Sequence, residues 1–431
     1  MEGVRDGGLP VILAVRQLRW RHEGYGPNIL FMRIALVTAL GAGCAALALQ
    51  GLASGSPADS AVRAGLVSGG AGIAAVPVGD SDGATTTLPL TAAGPELRTG
   101  GGSRGLLEVP AQRTHPFSLL GVTWDDPHAE LDGTVRARTR DARSGRWSGW
   151  HEVTGGSDDA PDVNSAERDA PGARGGTAPL WTGPSDGVEV QVRPGRSYLP
   201  AGLRVDLVDP GSGTHSALEP RLPASAGPGG AGRRMGRRSY TADRPTIVTR
   251  AGWRADEKLR SGDPEYTGTV KVVFVHHTVT GNDYDCSESD AIIRSIYRYH
   301  VESNGWRDIG YNFLVDKCGT IYEGRAGGVD RPVMGAHTLG YNNDSTGVAA
   351  LGTFTDGEVP DDMVDAIARL AAWKLGIGGR NPTGTAVLGS KRTELRAISG
   401  HRDALATQCP GSALYARLSE IRSEAADLQG R

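Results

Sequence analysis

Two histidines and one cysteine in this 431-residue chain have the residue types of a zinc site. His276 ends an apolar run, while His401 and Cys409 lie together near the carboxyl end of the chain. Two imidazoles and a thiolate can hold Zn²⁺ tetrahedrally and leave a fourth position open for water. The sequence therefore predicts His276, His401 and Cys409 as metal ligands. The alternatives are a capped strand end for the histidines and a small buried apolar role for Cys409.

The run Val272–Val275 is rich in β-branched residues and predicts a buried strand that carries its last side chains to the sheet edge. Side chains alternate along a strand, so His277 should point away from His276 and have a structural or supporting role. His300 and His337 are rival ligands. We expect His300 to be a packed or surface residue of a helix, whereas His337 follows Gly335-Ala336 in a loop.

Five blocks occur in a fixed order between about residues 245 and 415: His276-His277-Thr278, the run 305–315, Tyr322-Glu323-Gly324-Arg325, Gly335-Ala336-His337-Thr338, and the His401–Cys409 segment. In these blocks the chain resembles the zinc amidases of the peptidoglycan-recognition type, the N-acetylmuramoyl-L-alanine amidase family shared with certain phage lysozymes. The resemblance covers under half of the chain. A departure at Ala326-Gly327, where many animal members have Gly-Trp, prevents transfer of their stem-peptide preference.

The resemblance implies a Zn²⁺ cofactor and hydrolysis of the amide between N-acetylmuramic acid and L-alanine of peptidoglycan. It makes Tyr311 a catalytic tyrosine. It also makes Thr407 a catalytic residue, at the position where phage members carry lysine and many recognition-type amidases carry threonine. It also implies a disulfide between Cys286 and Cys318. In addition, it implies substrate contacts for four residues. The four residues are His277, Arg325, His337 and Thr338. The alternatives are a non-catalytic peptidoglycan-binding protein and a structural wall-anchored protein.

Strands that alternate with helical patterns predict an α/β fold for residues 244–431, with a central mixed sheet flanked by helices. Ser287 and Asp290 form a capping-box pattern before one helix, and residues 363–375 form another helix that begins after Pro360. The family fold agrees with this arrangement.

Residues 106–209 contain short runs of period-two alternation and predict an all-β, sandwich-like domain that folds alone. We expect residues 155–178, rich in Asp, Gly, Ala and Pro, to form a long exposed loop. Four tryptophans could contact cell-wall glycan by stacking or could fill the core: Trp124, Trp147, Trp150 and Trp181. Residues 59–105 and 210–243 have the composition of flexible linkers.

Residues 1–58 are predicted to be a leader, with Met32 as its predicted start and the apolar run 34–49 as its core. We therefore expect a secreted or cell-wall-associated protein. The alternatives are a membrane anchor through the leader and a lipoprotein at Cys44. The net charge of −3 gives no argument for nucleic acid as a partner. Four cysteines are too few for a fold built on disulfides.

Overall fold

The computed structural model describes residues 83–94, 98–99, 102–155, 158–211, 221–225 and 240–431. The predicted leader, with its membrane-anchor and lipoprotein alternatives, lies outside these residues. Among the described residues, no helix has both the length and the apolar character needed to cross a bilayer.

The first domain is an antiparallel sheet, and the residues described before position 210 contain no helix. Six strands run in the order β1-β10-β5-β9-β6-β7, while β2 and β8 both pair with β5. The strands are β1 (Ala84–Pro89), β2 (Thr91–Ala92), β3 (Arg98–Thr99), β4 (Gly102–Ser103), β5 (Leu107–Trp124), β6 (Gly133–Asp141), β7 (His151–Val153), β8 (Gly175–Gly176), β9 (Leu180–Pro194) and β10 (Arg204–Asp209). The short strands β3 and β4 pair with each other. This agrees with the prediction of an all-β domain.

The ordered part of this domain begins earlier than the sequence predicts. Strand β1 lies inside the segment 59–105 predicted to be a flexible linker, and it pairs along its whole length with β10. The Thr87 hydroxyl reinforces this pairing by donating to Asp206 Oδ1 at 2.6 Å. The predicted boundary at residue 106 is therefore too late, because the threonine-rich run 85–87 forms an edge strand.

The second domain contains a seven-stranded mixed sheet in the order β11-β12-β15-β14-β16-β13-β19. Its strands, with the separate hairpin of β17 and β18, are β11 (Arg221–Leu222), β12 (Ile247–Val248), β13 (Val272–His277), β14 (Phe313–Val315), β15 (Ile321–Glu323), β16 (Ser345–Ala350), β17 (Thr385–Leu388), β18 (Thr393–Arg396) and β19 (Ile398–Gly400). Its α-helices are α1 (Ser289–Arg298), α2 (Asp361–Ile377) and α3 (Ser412–Leu428). Strand β11 lies within the predicted linker 210–243, so that linker is not free of regular structure.

Helices cover both faces of the second sheet, as the α/β prediction requires. Helices α2 and α3 pack on the face that carries Val273, Val275 and Val348. Helix α1 packs on the opposite face, against Leu314 and Ala349. Adjacent residues of one strand thus enter different cores, which explains the nearly continuous apolar sequences of these strands.

The first domain packs directly against helix α1. Leu119 and Val208 lie in one apolar core with Ile292 and Ile296. Leu120, the neighbour of Leu119, points into the first domain's own core instead. Strand β5 is therefore buried on both faces near its end. An isolated fragment would expose this apolar face, and the prediction that the first domain folds alone stays a prediction.

The entrance to α1 differs in detail from the predicted capping box at Ser287 and Asp290. Asp285 caps a short helical turn, Cys286–Glu288, and its backbone N–H donates to the Glu288 carboxylate at 2.8 Å. A disulfide joins Cys286 to Cys318 in the turn after β14, the pairing that the resemblance implies. The bond fixes the start of α1 to the central sheet.

Candidate metal centre

Two parallel strands bring the predicted ligands together. Val275 of β13 is paired with Gly400 of β19, so His276 and His401 leave the sheet side by side at its carboxyl edge. Ligand sites in open α/β sheets form at this edge. Cys409 lies in the loop between His401 and α3, and the ligand atoms of all three residues lie within 4.8 Å of one another.

The three side chains fit Zn²⁺ in chemistry and spacing. Cys409 Sγ lies 3.6 Å from His276 Nδ1. Zinc–ligand bonds of about 2.0 Å to nitrogen and about 2.3 Å to sulfur, at a tetrahedral angle, place these atoms about 3.5 Å apart. His401 is buried, yet neither of its ring nitrogens has a hydrogen-bond partner among the described residues. Burial also raises the pKa of the Cys409 thiol well above its usual range, so the thiolate requires a cation beside it.

The Nε2 atom of His276 contacts two buried polar side chains. His276 Nε2 lies 3.2 Å from His337 Nδ1 and 3.3 Å from Thr338 Oγ1. Both partners are fully buried. Contacts of this kind orient a ligating imidazole and leave its other nitrogen for the metal. The structure thus places His337 and Thr338 behind a ligand, and the substrate contacts predicted for them remain predictions.

His277 points away from His276, as strand alternation predicts. Its Nδ1 accepts a hydrogen bond from the Phe354 N–H at 3.2 Å on the side of α2 and α3. Its backbone N–H donates to Cys409 Sγ at 3.4 Å, a contact that stabilises a thiolate. Burial lowers the pKa of His277 to about 4, so its ring is neutral at pH 7. The contacts of His277 support Cys409, and a contact to substrate stays a prediction.

Thr407 lies beside the candidate ligands without being one of them. Its hydroxyl accepts the Cys409 N–H at 3.3 Å and thereby shapes the loop. Thr407, His401 and Cys409 line one wall of a cavity of about 360 Å³, and residues of the first domain line another. A partly exposed hydroxyl here can reach a molecule in the cavity.

Tyr311 reaches the same point from the segment before β14. Its ring centroid is 5.6 Å from that of His276. Burial and the nearby Asp159 and Cys409 raise the pKa of Tyr311 well above its ordinary value, so the phenol stays protonated and can donate. His300 lies behind Tyr311, where its Nδ1 accepts the Gly310 N–H at 3.1 Å. His300 is therefore a packed residue, as expected.

Asp159 of the first domain is a site residue that the sequence did not predict. Its Oδ1 lies 3.1 Å from His276 Nδ1 and 3.3 Å from His401 Nδ1, and its Oδ2 accepts the Tyr311 hydroxyl at 3.2 Å. Burial raises the pKa of Asp159, but His401 and His276 outweigh this effect and hold it well below the usual range. The residue lies in the insert 155–178, whose predicted exposure is wrong for this part.

The same insert also contacts Arg325, one of the predicted substrate-binding residues. The Glu167 carboxylate accepts two hydrogen bonds from the Arg325 guanidinium, at 2.5 and 3.1 Å. Arg325 also donates to the carbonyl of Ile309 at 2.9 Å. Both members of the ion pair are buried, so Arg325 has no free donor for substrate in this conformation.

The four tryptophans considered for glycan contact fall into two groups. Trp124 and Trp181 are buried in the cores of the structure. Trp147 and Trp150 are each 37% exposed, and the Arg138 guanidinium lies over both rings. A stacking role for Trp147 and Trp150 stays a prediction.

Comparison with known proteins gives a family for each domain. The N-acetylmuramoyl-L-alanine amidase family matches residues 266–412. The family described as Rv3811 N-terminal galactose-binding domain-like matches residues 75–223. This second match supports an N-terminal domain that starts before residue 106.

The individual relatives are named either as peptidoglycan-recognition proteins or as amidases. Peptidoglycan-recognition protein SC1a of Drosophila melanogaster is 30% identical over 184 residues, which are 42% of this chain and 88% of that protein. The N-acetylmuramoyl-L-alanine amidase of Homo sapiens is 35% identical over 167 residues, 37% of this chain and 26% of that protein. A solved complex of peptidoglycan recognition protein LE with tracheal cytotoxin is 30% identical, covers 40% of this chain and 92% of that chain, and has a TM-score of 0.34. This chain belongs to the N-acetylmuramoyl-L-alanine amidase family, which includes the peptidoglycan-recognition proteins.

Proposed function

We propose that this protein is a zinc-dependent N-acetylmuramoyl-L-alanine amidase that acts on peptidoglycan outside the cell membrane. The observation that carries the proposal is the convergence of His276, His401, Cys409 and the Tyr311 hydroxyl on one point at the carboxyl edge of the sheet. A binding protein has no need of three metal ligands and a phenol donor at one point.

The reaction is the hydrolysis of one amide. Zn²⁺ held by His276, His401 and Cys409 would supply a nucleophilic water and polarise the amide carbonyl. The water oxygen bonds to the carbonyl carbon, the carbon–nitrogen bond breaks, and the nitrogen of L-alanine leaves with a proton. The Tyr311 phenol donates a hydrogen bond to the developing oxyanion, and the Thr407 hydroxyl orients the reacting groups.

The names of the relatives support peptidoglycan as the partner. A relative named as a peptidoglycan-recognition protein matches 42% of the chain, and one named as an amidase matches 37%. The recognition proteins also favour a second candidate, a protein that binds peptidoglycan without cleaving it. The His-His-Cys set weighs against this candidate, because binding alone gives no reason to retain Cys409 beside two histidines.

The proposed location rests on two features. The predicted leader directs the chain out of the cytoplasm. The Cys286–Cys318 disulfide is of a kind that persists in oxidising compartments. Fractionation that recovers the protein from the cytosol alone would contradict this part of the proposal.

Mass spectrometry of purified muropeptides after incubation tests the activity. We expect free stem peptides that begin with L-alanine, and we expect a chelator to abolish them and added Zn²⁺ to restore them. A zinc-loaded protein whose fourth metal position is open, yet which binds muropeptides tightly without cleaving them, would favour the recognition candidate instead.

A further inference from the structure

The segment 158–178 of the first domain lies across the side of the second domain on which the side chains of His276, His401 and Cys409 meet. Asp159 reaches the ligands themselves. On either side of it, Asp158 accepts the Leu339 N–H at 3.0 Å through its carbonyl, and Ala160 packs against Trp306 and Ala336. The polypeptide therefore enters and leaves the metal centre along a defined path.

Polar contacts fix this path on both sides of the centre. The Asp162 carboxylate accepts the Gly340 N–H at 2.8 Å and the Asn342 side-chain amide at 2.5 Å. Further along, Glu167 forms the buried pair with Arg325 and accepts the Arg307 N–H at 3.0 Å. The segment thus covers the loops that carry Arg325, His337 and Thr338, for which the resemblance implies substrate contacts. We call the surface of these loops the substrate groove.

The Asp159 carboxylate lies at the spacing of a metal ligand from both imidazoles. Its Oδ1 is 3.1 and 3.3 Å from the two imidazole nitrogens, yet this oxygen has no hydrogen-bond partner among the described residues. Two ligand atoms of a tetrahedral zinc, with bonds of about 2.0–2.1 Å, lie about 3.3 Å apart. The carboxylate oxygen and both imidazole nitrogens therefore surround a common point in the way that ligands of one ion do.

We infer that Asp159 is a fourth ligand of the metal site and that the segment 158–178 closes the substrate groove of this chain until it is displaced. The inference rests on the proposed function for the identity of the groove. Three protein ligands with an open position are characteristic of catalytic zinc, whereas four protein ligands are characteristic of structural zinc. Asp159 takes the position that the water needs, and Tyr311 is held by the same carboxylate. The folded chain is thus a closed form of the enzyme.

Full-length protein loaded with Co²⁺ in place of zinc gives a test that does not depend on activity. The visible absorption of Co²⁺ reports its ligands, and azide is a small anion that can take an open position. We expect azide to leave the wild-type spectrum unchanged and to change that of Asp159→Ala in a saturable way. Asp169→Ala is the matched control, because Asp169 is an exposed carboxylate of the same segment that pairs with His128. It should behave as the wild type does.

A second variant, Asp159→Asn, keeps the test decisive if Asp159→Ala does not fold. Asp159→Asn keeps the shape of the side chain and an oxygen that can accept from Tyr311, but it is a weaker, neutral ligand. We expect it to respond to azide at a higher concentration than Asp159→Ala does. Equal azide responses in the wild type, Asp169→Ala and Asp159→Ala would overturn the inference.

Hydrolysis of muropeptides by the zinc-loaded proteins separates this inference from the proposed function. We expect Asp159→Ala to act at least about tenfold faster than the wild type, because the closed form no longer competes with substrate. Slower hydrolysis by Asp159→Ala would make Asp159 a catalytic group and would overturn the inference. If azide distinguishes the variants but none of them cleaves, the inference stands and the proposed function fails.

Discussion

The guanidinium of Arg325 and the carboxylate of Glu167 form a buried ion pair between the two domains, although 158 positions separate them in the sequence. Their side chains are only 8% and 7% exposed, so solvent hardly screens the pair. Arg325 is part of the family block Tyr322–Arg325, whereas Glu167 belongs to the first domain. The pair therefore joins the segment over the metal centre to the wall of the proposed substrate groove.

We expect Glu167→Gln to destabilise the folded chain by about 3–5 kcal/mol, because it leaves the Arg325 charge buried without its partner. Urea denaturation followed by tryptophan fluorescence measures this change in the free energy of unfolding. Asp361→Asn is the matched control. Asp361 pairs with Arg417 but is 85% exposed, and such surface pairs contribute at most about 1 kcal/mol. Similar losses in the two variants would show that the buried pair has no special role.

The ligand set could be predicted from the sequence because local patterns determine it. A β-branched run ending in His276 fixes a strand end, and the block from His401 to Cys409 is contiguous. Pairing of β13 with β19 is long-range, but the carboxyl edge of a parallel sheet is the expected meeting point of such residues. The family resemblance supplied the order of the blocks and the role of Tyr311.

Asp159 and Glu167 could not be predicted in the same way. Their segment has no helical or strand periodicity, and its acidic composition is equally typical of an exposed loop. Their burial arises from packing against the second domain, which no local pattern encodes. The same holds for β5, where continuous burial near Leu119 reflects contact with α1 as well as the core of the first domain.

Replacement of Cys409 should remove the metal. Cys409→Ser exchanges a soft thiolate for a hydroxyl that stays protonated, and we expect zinc affinity to fall by more than about 100-fold, since even outer contacts contribute about 10–100-fold. Elemental analysis after dialysis against a chelator measures the zinc retained. His300→Gln alters an equally buried imidazole outside the ligand set and should keep its zinc. Full zinc occupancy in Cys409→Ser would exclude the predicted ligand set.

His300 should make the stability of the protein depend on pH. Burial lowers the pKa of His300 to about 3, against about 6.5 for the unfolded chain. Below pH 6.5 the unfolded chain binds the proton and the folded chain does not. The stability present above pH 6.5 is therefore lost as the pH falls towards 3, by up to about 1.4 kcal/mol per pH unit from this residue.

The measurement is the free energy of unfolding of the metal-free protein at a series of pH values from 7 to 4. His300→Gln should show a shallower decline than the wild type over this range. His115→Gln, at an exposed position of β5, should leave the slope nearly unchanged. A wild-type slope in His300→Gln would show that this imidazole does not contribute to the acid sensitivity.

Tyr311 should affect the rate of hydrolysis without affecting metal binding. Its hydroxyl contacts Asp159 in the closed form, so Tyr311→Phe is best compared in the Asp159→Ala background, where that contact is already absent. Loss of an oxyanion donor typically costs about 10²–10³-fold in rate, and we expect kcat on muropeptides to fall by this factor. Zinc content and the Co²⁺ spectrum should stay the same, because the three ligands are intact. An unchanged kcat would remove the role assigned to Tyr311 and leave the metal centre as proposed, whereas loss of zinc would show that Tyr311 has a structural role.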